Sequence, residues 1–209
     1  MNNLNNRKVC IIDYEAGNVR SVYNMFKDIH DSVKISNKLE DIESASHIVL
    51  PGVGAFQTAI KKIKNLAAFN VLEDNVLKKK KLFLGICIGM QVLAEAGYEH
   101  GLYNGLGWIP GTVRKLETGG LRLPHVGWNN FAKCEDNVLL KGISGVTDFY
   151  YVHSYCFKVR DSVHSVAVCE YGAKFSAIIN KENIYGVQFH PEKSQKAGKK
   201  LFQNFLELK

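Results

Sequence analysis

The sequence predicts an α/β fold: an open, twisted, mostly parallel sheet flanked by helices, with an antiparallel extension in its second half. In the first half, short apolar runs alternate with helical periodicity, which is typical of parallel strands joined by helices. After residue 112, hairpin-like runs of alternating residues take over. A length of 209 residues suits one hydrophobic core, so we expect a single domain over 1–209.

The first half predicts four strands and the helices between them. The apolar run 9–12 is the first strand, and the polar loop after it ends at Asn18, which is placed to cap a helix reaching about His30. Further strands are predicted at 33–35 and 47–50. A helical stretch over 55–80, with a break near Asn70, leads to a strand, sharp turn and helix within 82–94.

The second half of the sequence predicts more strands and fewer helices than the first. Residues 97–111 are glycine-rich and irregular, and the strands that follow are expected at 113–116, 149–153, 165–169, 177–179 and 185–189. The terminal segment 195–208 carries apolar residues on one face, so we expect an amphipathic helix that closes the fold.

Composition narrows the function classes. The five cysteines are widely spread and form no C-x-x-C pair, which indicates a reducing compartment and neither a disulfide framework nor a metal site. We found no apolar leader and no run long enough for a membrane span, so we expect a cytoplasmic protein without membrane contact. The formal charge of +7 comes largely from lysines that we expect on solvated surfaces, such as 78–81. We therefore expect no nucleic-acid partner.

The strongest chemical signal is the segment Gly85-Ile86-Cys87-Ile88-Gly89. Two glycines flanking a nucleophile allow the sharp turn that lifts one side chain clear of a sheet. The start of the next helix favours a thiolate and offers N–H groups to an oxyanion. The alternative is a buried structural cysteine, which an isolated cysteine in an apolar run would favour.

Two other loops are predicted to meet Cys87. The third strand runs into Gly52-Val53-Gly54, which fits a backbone donor loop, although a plain tight turn or a weak phosphate cradle stays open. The last strand ends at His190-Pro191-Glu192. There His190 could serve Cys87 as a base and Glu192 could orient the imidazole.

These motifs carry a resemblance to a known family. Pro51-Gly52-Val53-Gly54, the run from Gly85 to Gln91, and Gln188-Phe189-His190-Pro191-Glu192 resemble the class I glutamine amidotransferases, over essentially the whole chain. Within that family, the run from His125 to Asn129, the run from Tyr151 to Tyr155, Asp13-Tyr14 and Gly17-Asn18 resemble the glutaminase subunits of imidazole glycerol phosphate synthases. Glu15 departs from the pattern, since glycine is more usual at that place.

The resemblance implies the flavodoxin-like fold of this family and hydrolysis of L-glutamine to glutamate and ammonia, without a cofactor. Cys87 would be the nucleophile, His190 the acid and base, and Glu192 its orienting partner. The oxyanion would be met by the N–H of Ile88 and by the loop of Gly52, Val53 and Gly54. The expected substrate-binding residues are Gln91, Ser154 and Tyr155.

The resemblance also implies a partner. Ammonia would pass to a cyclase subunit, a (β/α)8 barrel, in a heterodimer of histidine biosynthesis. The residues expected at that interface are His125, Trp128, Tyr151 and Lys193. We expect the isolated chain to be poorly active, because the loop at Val53 would need an arrangement that the partner induces.

Three alternatives remain at this level. A related amidotransferase subunit could feed ammonia to a barrel acting on a nucleotide or bacterial surface-sugar precursor. A catalytically silent module on the same fold is disfavoured because Cys87, His190 and Glu192 are all present. A cysteine peptidase or esterase could use the same turn, but Gln91 and the motif 125–129 argue against it.

Overall fold

A computed structural model describes residues 6–144 and 146–209. The first half alternates between strands and helices, as its apolar runs predict. The elements are β1 (Val9–Ile12), α1 (Val19–Lys27), β2 (Val33–Ser36), α2 (Leu39–Ser44), β3 (His47–Gly52), α3 (Phe56–Lys64), α4 (Phe69–Leu77), β4 (Leu82–Cys87) and α5 (Ile88–Gln91).

The second half is richer in strands. Its elements are β5 (Ala96–Gly97), β6 (Tyr103–Asn104), β7 (Gly111–Lys115), β8 (His125–Asn129), β9 (Lys133–Cys134), β10 (Phe149–His153), β11 (Tyr155–Val159), β12 (Ser165–Tyr171), β13 (Ala173–Lys181), β14 (Ile184–Val187) and α6 (Gln195–Glu207). Short 3-10 helices occur at Val138–Leu140, Ser162–His164 and Pro191–Lys193.

The main sheet is mixed, and its order within the described residues is β2-β1-β3-β4-β14-β13-β12-β9. The strands from β2 to β14 run parallel, and β13, β12 and β9 continue the sheet in antiparallel pairs. A second sheet has the order β11-β7-β5-β6, and β8 pairs with β10. The predicted parallel sheet with an antiparallel extension is therefore confirmed.

Burial explains why the apolar runs form the central strands. β1, β3, β4 and β14 are buried along their whole length, because helices cover both faces of a parallel sheet. The carboxyl ends of β3, β4 and β14 lie side by side, which is where open α/β sheets place their crevices. Among the described residues, we found no helix long and apolar enough to cross a membrane.

Several predicted boundaries were wrong. Helix α1 ends at Lys27 rather than near His30, and the side chain of Asn18 makes no capping hydrogen bond. The break in the predicted helix 55–80 falls at residues 65–68, so Asn70 lies inside α4. The helix after Cys87 is a single turn, because residues 92–95 leave it to reach β5.

Candidate active site

Cys87 ends the central strand of the sheet. Its neighbour in the register of β3 is Gly52, and on the other side Ile86 pairs with Val187 of β14. The backbone of Cys87 has φ +55° and ψ −111°, a sparsely populated combination that costs a residue with a side chain about 1–3 kcal/mol. The strained turn directs the chain from β4 into α5 and leaves the thiol 4% exposed.

The two flanking glycines are needed because backbones approach closely here. A Cβ on Gly89 would overlap the carbonyl oxygen of Leu50 in β3, and one on Gly85 would overlap the carbonyl oxygen of Gly89. A Cβ on Gly52 would lie 2.8 Å from the nitrogen of Gly89. The loop after β3 is therefore packed against the first turn of α5, beside Cys87.

His190 and Glu192 form a buried pair on the 3-10 turn that follows β14. Nδ1 of His190 lies 2.8 Å from Oε1 of Glu192, and their side chains are 2% and 1% exposed. Nε2 of His190 is buried and has no hydrogen-bond partner among the described residues. The imidazole is thus held at one nitrogen and free at the other.

The protonated imidazole is favoured electrostatically. Burial lowers the pKa of His190, but the adjacent Cys87 sulfur and the Glu192 carboxylate outweigh it and raise that pKa to about 10. The imidazolium form of His190 is therefore favoured beside the sulfur of Cys87.

Asn18 joins this pair from the opposite side. Its Nδ2 lies 3.4 Å from Oε1 of Glu192, and its Oδ1 accepts a hydrogen bond of 2.7 Å from Ser21. The side chain that the sequence suggested as a helix cap therefore contacts the carboxylate of Glu192.

Most of the predicted site residues line one cavity of about 260 Å³, a size that suits a ligand as small as an amino acid. The predicted residues at its wall are Val53, Gly54, Cys87, Ile88, Gln91, Ser154, Tyr155 and His190. Its wall also includes Glu99, Pro124, Val152 and His153. Gly52 and Glu192 are not among the residues that line it.

Gln91 is buried and presents a free oxygen. Its Nε2 donates to the carbonyl oxygen of Tyr155 at 2.8 Å and to Oε1 of Gln188 at 3.0 Å. Its own Oε1 is buried and has no partner among the described residues. Gln91 also lines the cavity, so this unsatisfied acceptor lies close to the space that a ligand would fill.

Glu99 is a cavity residue that the sequence did not indicate. Its Oε2 accepts a hydrogen bond of 2.8 Å from the backbone N–H of Phe56, at the start of α3. The carboxylate thereby gives the cavity wall a negative charge fixed to the scaffold. No motif surrounds Glu99, so only the fold brings it to the site.

The four predicted interface residues separate into two pairs. Trp128 is 49% exposed, and Lys193 is exposed with its Nζ 5.4 Å from the ring centroid of Tyr150. His125 and Tyr151 are instead 3% and 0% exposed. Alternate residues of a strand face opposite sides, so β8 and β10 turn these two inward, and the expectation that they face a partner was wrong.

Glu15 adopts the conformation that its position demands of a glycine, with φ +59°. Its N–H donates to Oδ1 of Asp13 at 3.0 Å, and its carbonyl accepts from Nζ of Lys62 at 2.7 Å. The turn at Glu15 is therefore formed although glutamate stands where glycine is more usual, and its positive φ strains the backbone.

Within residues 6–144 and 146–209 we found no cluster of three or more histidine, cysteine or acidic side chains that could hold an ion.

Comparison with known proteins decides the family. Residues 10–208 match the family described as Glutamine amidotransferase class-I. The chain belongs to the class I glutamine amidotransferases. This class I glutamine amidotransferase is 44% identical over 201 residues to a protein of Campylobacter jejuni subsp. jejuni (strain 81-176) named Imidazole glycerol phosphate synthase subunit HisH 1, covering 96% of this chain and 100% of the relative.

Two further comparisons agree on family and fold. A Pseudomonas aeruginosa protein named Imidazole glycerol phosphate synthase subunit HisH 2 is 40% identical over 201 residues, covering 96% of this chain and 99% of that one. A crystal structure described as glutamine amidotransferase superposes with a TM-score of 0.73 at 17% identity, covering 95% and 97% of the two chains. The amidotransferase fold is thus shared even where the sequences have diverged.

Proposed function

We propose that this amidotransferase is the glutaminase subunit of an imidazole glycerol phosphate synthase. It would hydrolyse L-glutamine to glutamate and ammonia and pass the ammonia to a cyclase subunit in histidine biosynthesis. One observation carries the chemistry: Cys87 and His190 line the same small cavity, and the carboxylate of Glu192 is fixed behind the imidazole at 2.8 Å. The relatives named as synthase subunits support the pathway.

Acylation begins at the sulfur of Cys87. The thiolate adds to the side-chain carbonyl carbon of glutamine, and the carbonyl π electrons move to oxygen. When the tetrahedral intermediate collapses, the C–N bond breaks and protonated His190 gives its proton to the departing nitrogen. Ammonia leaves, and a glutamyl thioester remains on Cys87.

Deacylation reverses the roles of the same groups. Neutral His190 takes a proton from water at Nε2, which has no hydrogen-bond partner among the described residues, and the hydroxide adds to the thioester carbon. The C–S bond then breaks, and glutamate leaves while Cys87 returns to the thiolate. Glu192 would hold Nδ1–H throughout, so the proton would be exchanged at the other nitrogen, Nε2.

The oxyanion would be stabilised by backbone donors at the start of α5 and after β3. Ile88 is the first residue of α5, where N–H groups have no acceptor within the helix. Val53 and Gly54 line the same cavity, with Gly54 at φ +89°. Losing one such donor costs about 2.7–4 kcal/mol of transition-state stabilisation.

The α-amino end of glutamine would meet the polar side of the cavity. The free Oε1 of Gln91 and the carboxylate of Glu99 are acceptors that suit an ammonium group. Ser154 and Tyr155 would contact the α-carboxylate from the adjacent wall. The carboxylate of Glu99 would favour ligands that carry an ammonium group.

The partner is proposed to be a (β/α)8 barrel that receives ammonia in a heterodimer. Exposed Trp128 and Lys193 form a connected patch with the half-buried Tyr150, whose ring lies 5.8 Å from that of Trp128. Aromatic residues exposed next to a cation are typical of protein interfaces. Lys193 directly follows Glu192, so docking at this patch would act on the catalytic turn.

A second candidate keeps the chemistry and changes the pathway. The Campylobacter relative is named subunit HisH 1 and the Pseudomonas relative subunit HisH 2, numerals that distinguish subunits of the same name. A paralogous subunit would feed ammonia to a related barrel in a surface-sugar pathway. The catalytic residues would be the same, so the partner alone separates the two candidates.

The test is glutamate release from L-glutamine by the purified chain, alone and with a histidine-pathway cyclase subunit and its ligand. We expect low activity alone, strong stimulation by the cyclase, loss in Cys87→Ala and no loss in Cys134→Ala, an exposed cysteine outside the site. Activity that requires Cys87 but ignores this cyclase would favour the second candidate. Activity retained by Cys87→Ala would reject both.

A further inference from the structure

Gln188 is a fully buried amide whose two side-chain partners, within the described residues, both belong to the candidate site. Its Oε1 accepts from Gln91 at 3.0 Å, and its Nε2 lies 3.7 Å from the sulfur of Cys87, within the range of a hydrogen bond to sulfur. A buried amide needs partners, but it could find them anywhere in a core. Within the described part of the chain, the side chain of Gln188 finds them at Cys87 and Gln91.

The register of the sheet explains why Gln188 reaches the sulfur. Ile86 pairs with Val187 on the neighbouring parallel strand, so the next residues, Cys87 and Gln188, leave the sheet side by side. The backbone N–H of Gln188 donates to the carbonyl of Ala177 in β13 at 2.9 Å. The main chain is thereby anchored, and the side chain is held at the level of Cys87.

The donor and the acceptor of each of these hydrogen bonds can be assigned by starting from the carbonyl oxygen of Tyr155. The carbonyl oxygen of Tyr155 can only accept, so the group of Gln91 that faces it must be the NH₂. The second N–H of that NH₂ points at Gln188, which must present its oxygen there. The remaining NH₂ of Gln188 then faces Cys87, and it can only donate to the sulfur.

We propose that Gln188 is a positioning residue of the glutaminase site with two tasks. By donating to the sulfur of Cys87 it stabilises the thiolate, since hydrogen bonds to a charged acceptor are the strong ones. By accepting from Gln91 it keeps the free Oε1 of Gln91 turned to the substrate. This inference deepens the proposed function and rests on it for its kinetic consequences, but not for its effect on the thiol.

Two variants separate the tasks. Gln188→Met removes both hydrogen bonds and keeps the side chain long, whereas Gln188→Glu keeps an acceptor for Gln91 and loses the donor to Cys87. Val187→Ala is the matched control, because it changes the buried neighbour of Gln188 at the end of β14, whose apolar side chain has no donor for the sulfur. Circular dichroism and urea unfolding of each variant establish that the fold is kept.

The readout is the rate of alkylation of Cys87 by iodoacetamide as a function of pH, followed by mass spectrometry of the Cys87 peptide. We expect the midpoint to rise by about one pH unit in Gln188→Met and at least as far in Gln188→Glu, and to stay in Val187→Ala. With glutamine and the cyclase, kcat should fall about tenfold in both variants, and KM should rise only in Gln188→Met.

An unchanged alkylation midpoint in both folded variants would overturn the inference, as would an equal shift in Val187→Ala. The outcome is independent of the pathway and of turnover. If the chain released no glutamate but the midpoint moved in the two Gln188 variants, the thiolate role of Gln188 would stand and the proposed function would fail. If turnover depended on Cys87 but the alkylation midpoint did not move, the proposed function would stand and the thiolate role of Gln188 would fail.

Discussion

The Cα of Gly89 lies against the carbonyl oxygen of Leu50, with no space for a Cβ between them. This contact brings the first turn of α5 onto β3, and so sets the distance between Cys87 and the loop of Val53 and Gly54. We expect Gly89→Ala to lower the free energy of unfolding by about 3 kcal/mol or more, because backbone atoms on both sides prevent relief of the overlap. Urea unfolding measures the effect.

The control for this change is Gly119→Ala. Gly119 has a positive φ of 59° and open space around its missing Cβ, so it reports only the conformational cost, about 1 kcal/mol. Equal destabilisation of the two variants would contradict the close-packing explanation of the turn.

Glu15 offers a change in the opposite direction. Because it holds φ +59°, Glu15→Gly should stabilise the chain by about 0.5–1 kcal/mol, the relieved strain exceeding the entropy that glycine adds to the unfolded state. Glu43→Gly is the matched control in α2, where glycine should destabilise by about 1 kcal/mol. Thermal or urea unfolding of the three proteins should give opposite signs, and destabilisation by both variants would count against strain at Glu15.

Buried histidines should make the fold sensitive to acid. Burial lowers the pKa of His125 to about 4 and that of His153 to about 3, whereas unfolded histidine titrates near pH 6.5. The unfolded state therefore binds more protons between these values, and stability is full above about pH 6.5 and is lost as the pH falls toward 4. His47, lowered to about 4, acts in the same window.

Urea unfolding at several pH values should show this loss. His125→Gln should reduce the slope of the unfolding free energy against pH by roughly 1 kcal/mol per pH unit. The raised pKa of His190 acts elsewhere: its contribution is full below pH 6.5 and is lost as the pH rises toward 10. An unaltered acid slope in His125→Gln would show that His125 is not held neutral.

The exposed aromatic patch should carry partner affinity. Trp128→Ala should weaken binding of the cyclase subunit at least about tenfold with little change in the stability of the isolated chain, since exposed aromatics are frequent hot spots. Calorimetric titration measures this, and Val163→Ala is the control, with a side chain exposed at 72% on the 3-10 helix Ser162–His164. Full affinity in Trp128→Ala would move the interface to another face.

The sequence was sufficient where local patterns set the geometry. The glycines around Cys87 predicted the turn because only glycine permits the backbone contacts found there. The sequence could not indicate features that depend on strand pairing. The pairing of β8 with β10 turns His125 and Tyr151 inward. The pairing of β4 with β14 places Gln188 beside Cys87. Glu99 reaches the cavity through the fold alone, with no motif to mark it.

The most direct test of the central claim is detection of the covalent intermediate. The chain, bound to the cyclase, is mixed with L-glutamine, quenched in acid within the first turnover and analysed by peptide mass spectrometry. The account predicts one glutamyl group, lost on treatment with hydroxylamine, on the peptide that contains Cys87, and none in Cys87→Ala. Glutamate release at the normal rate with no adduct on Cys87, or an adduct on another residue, would contradict it.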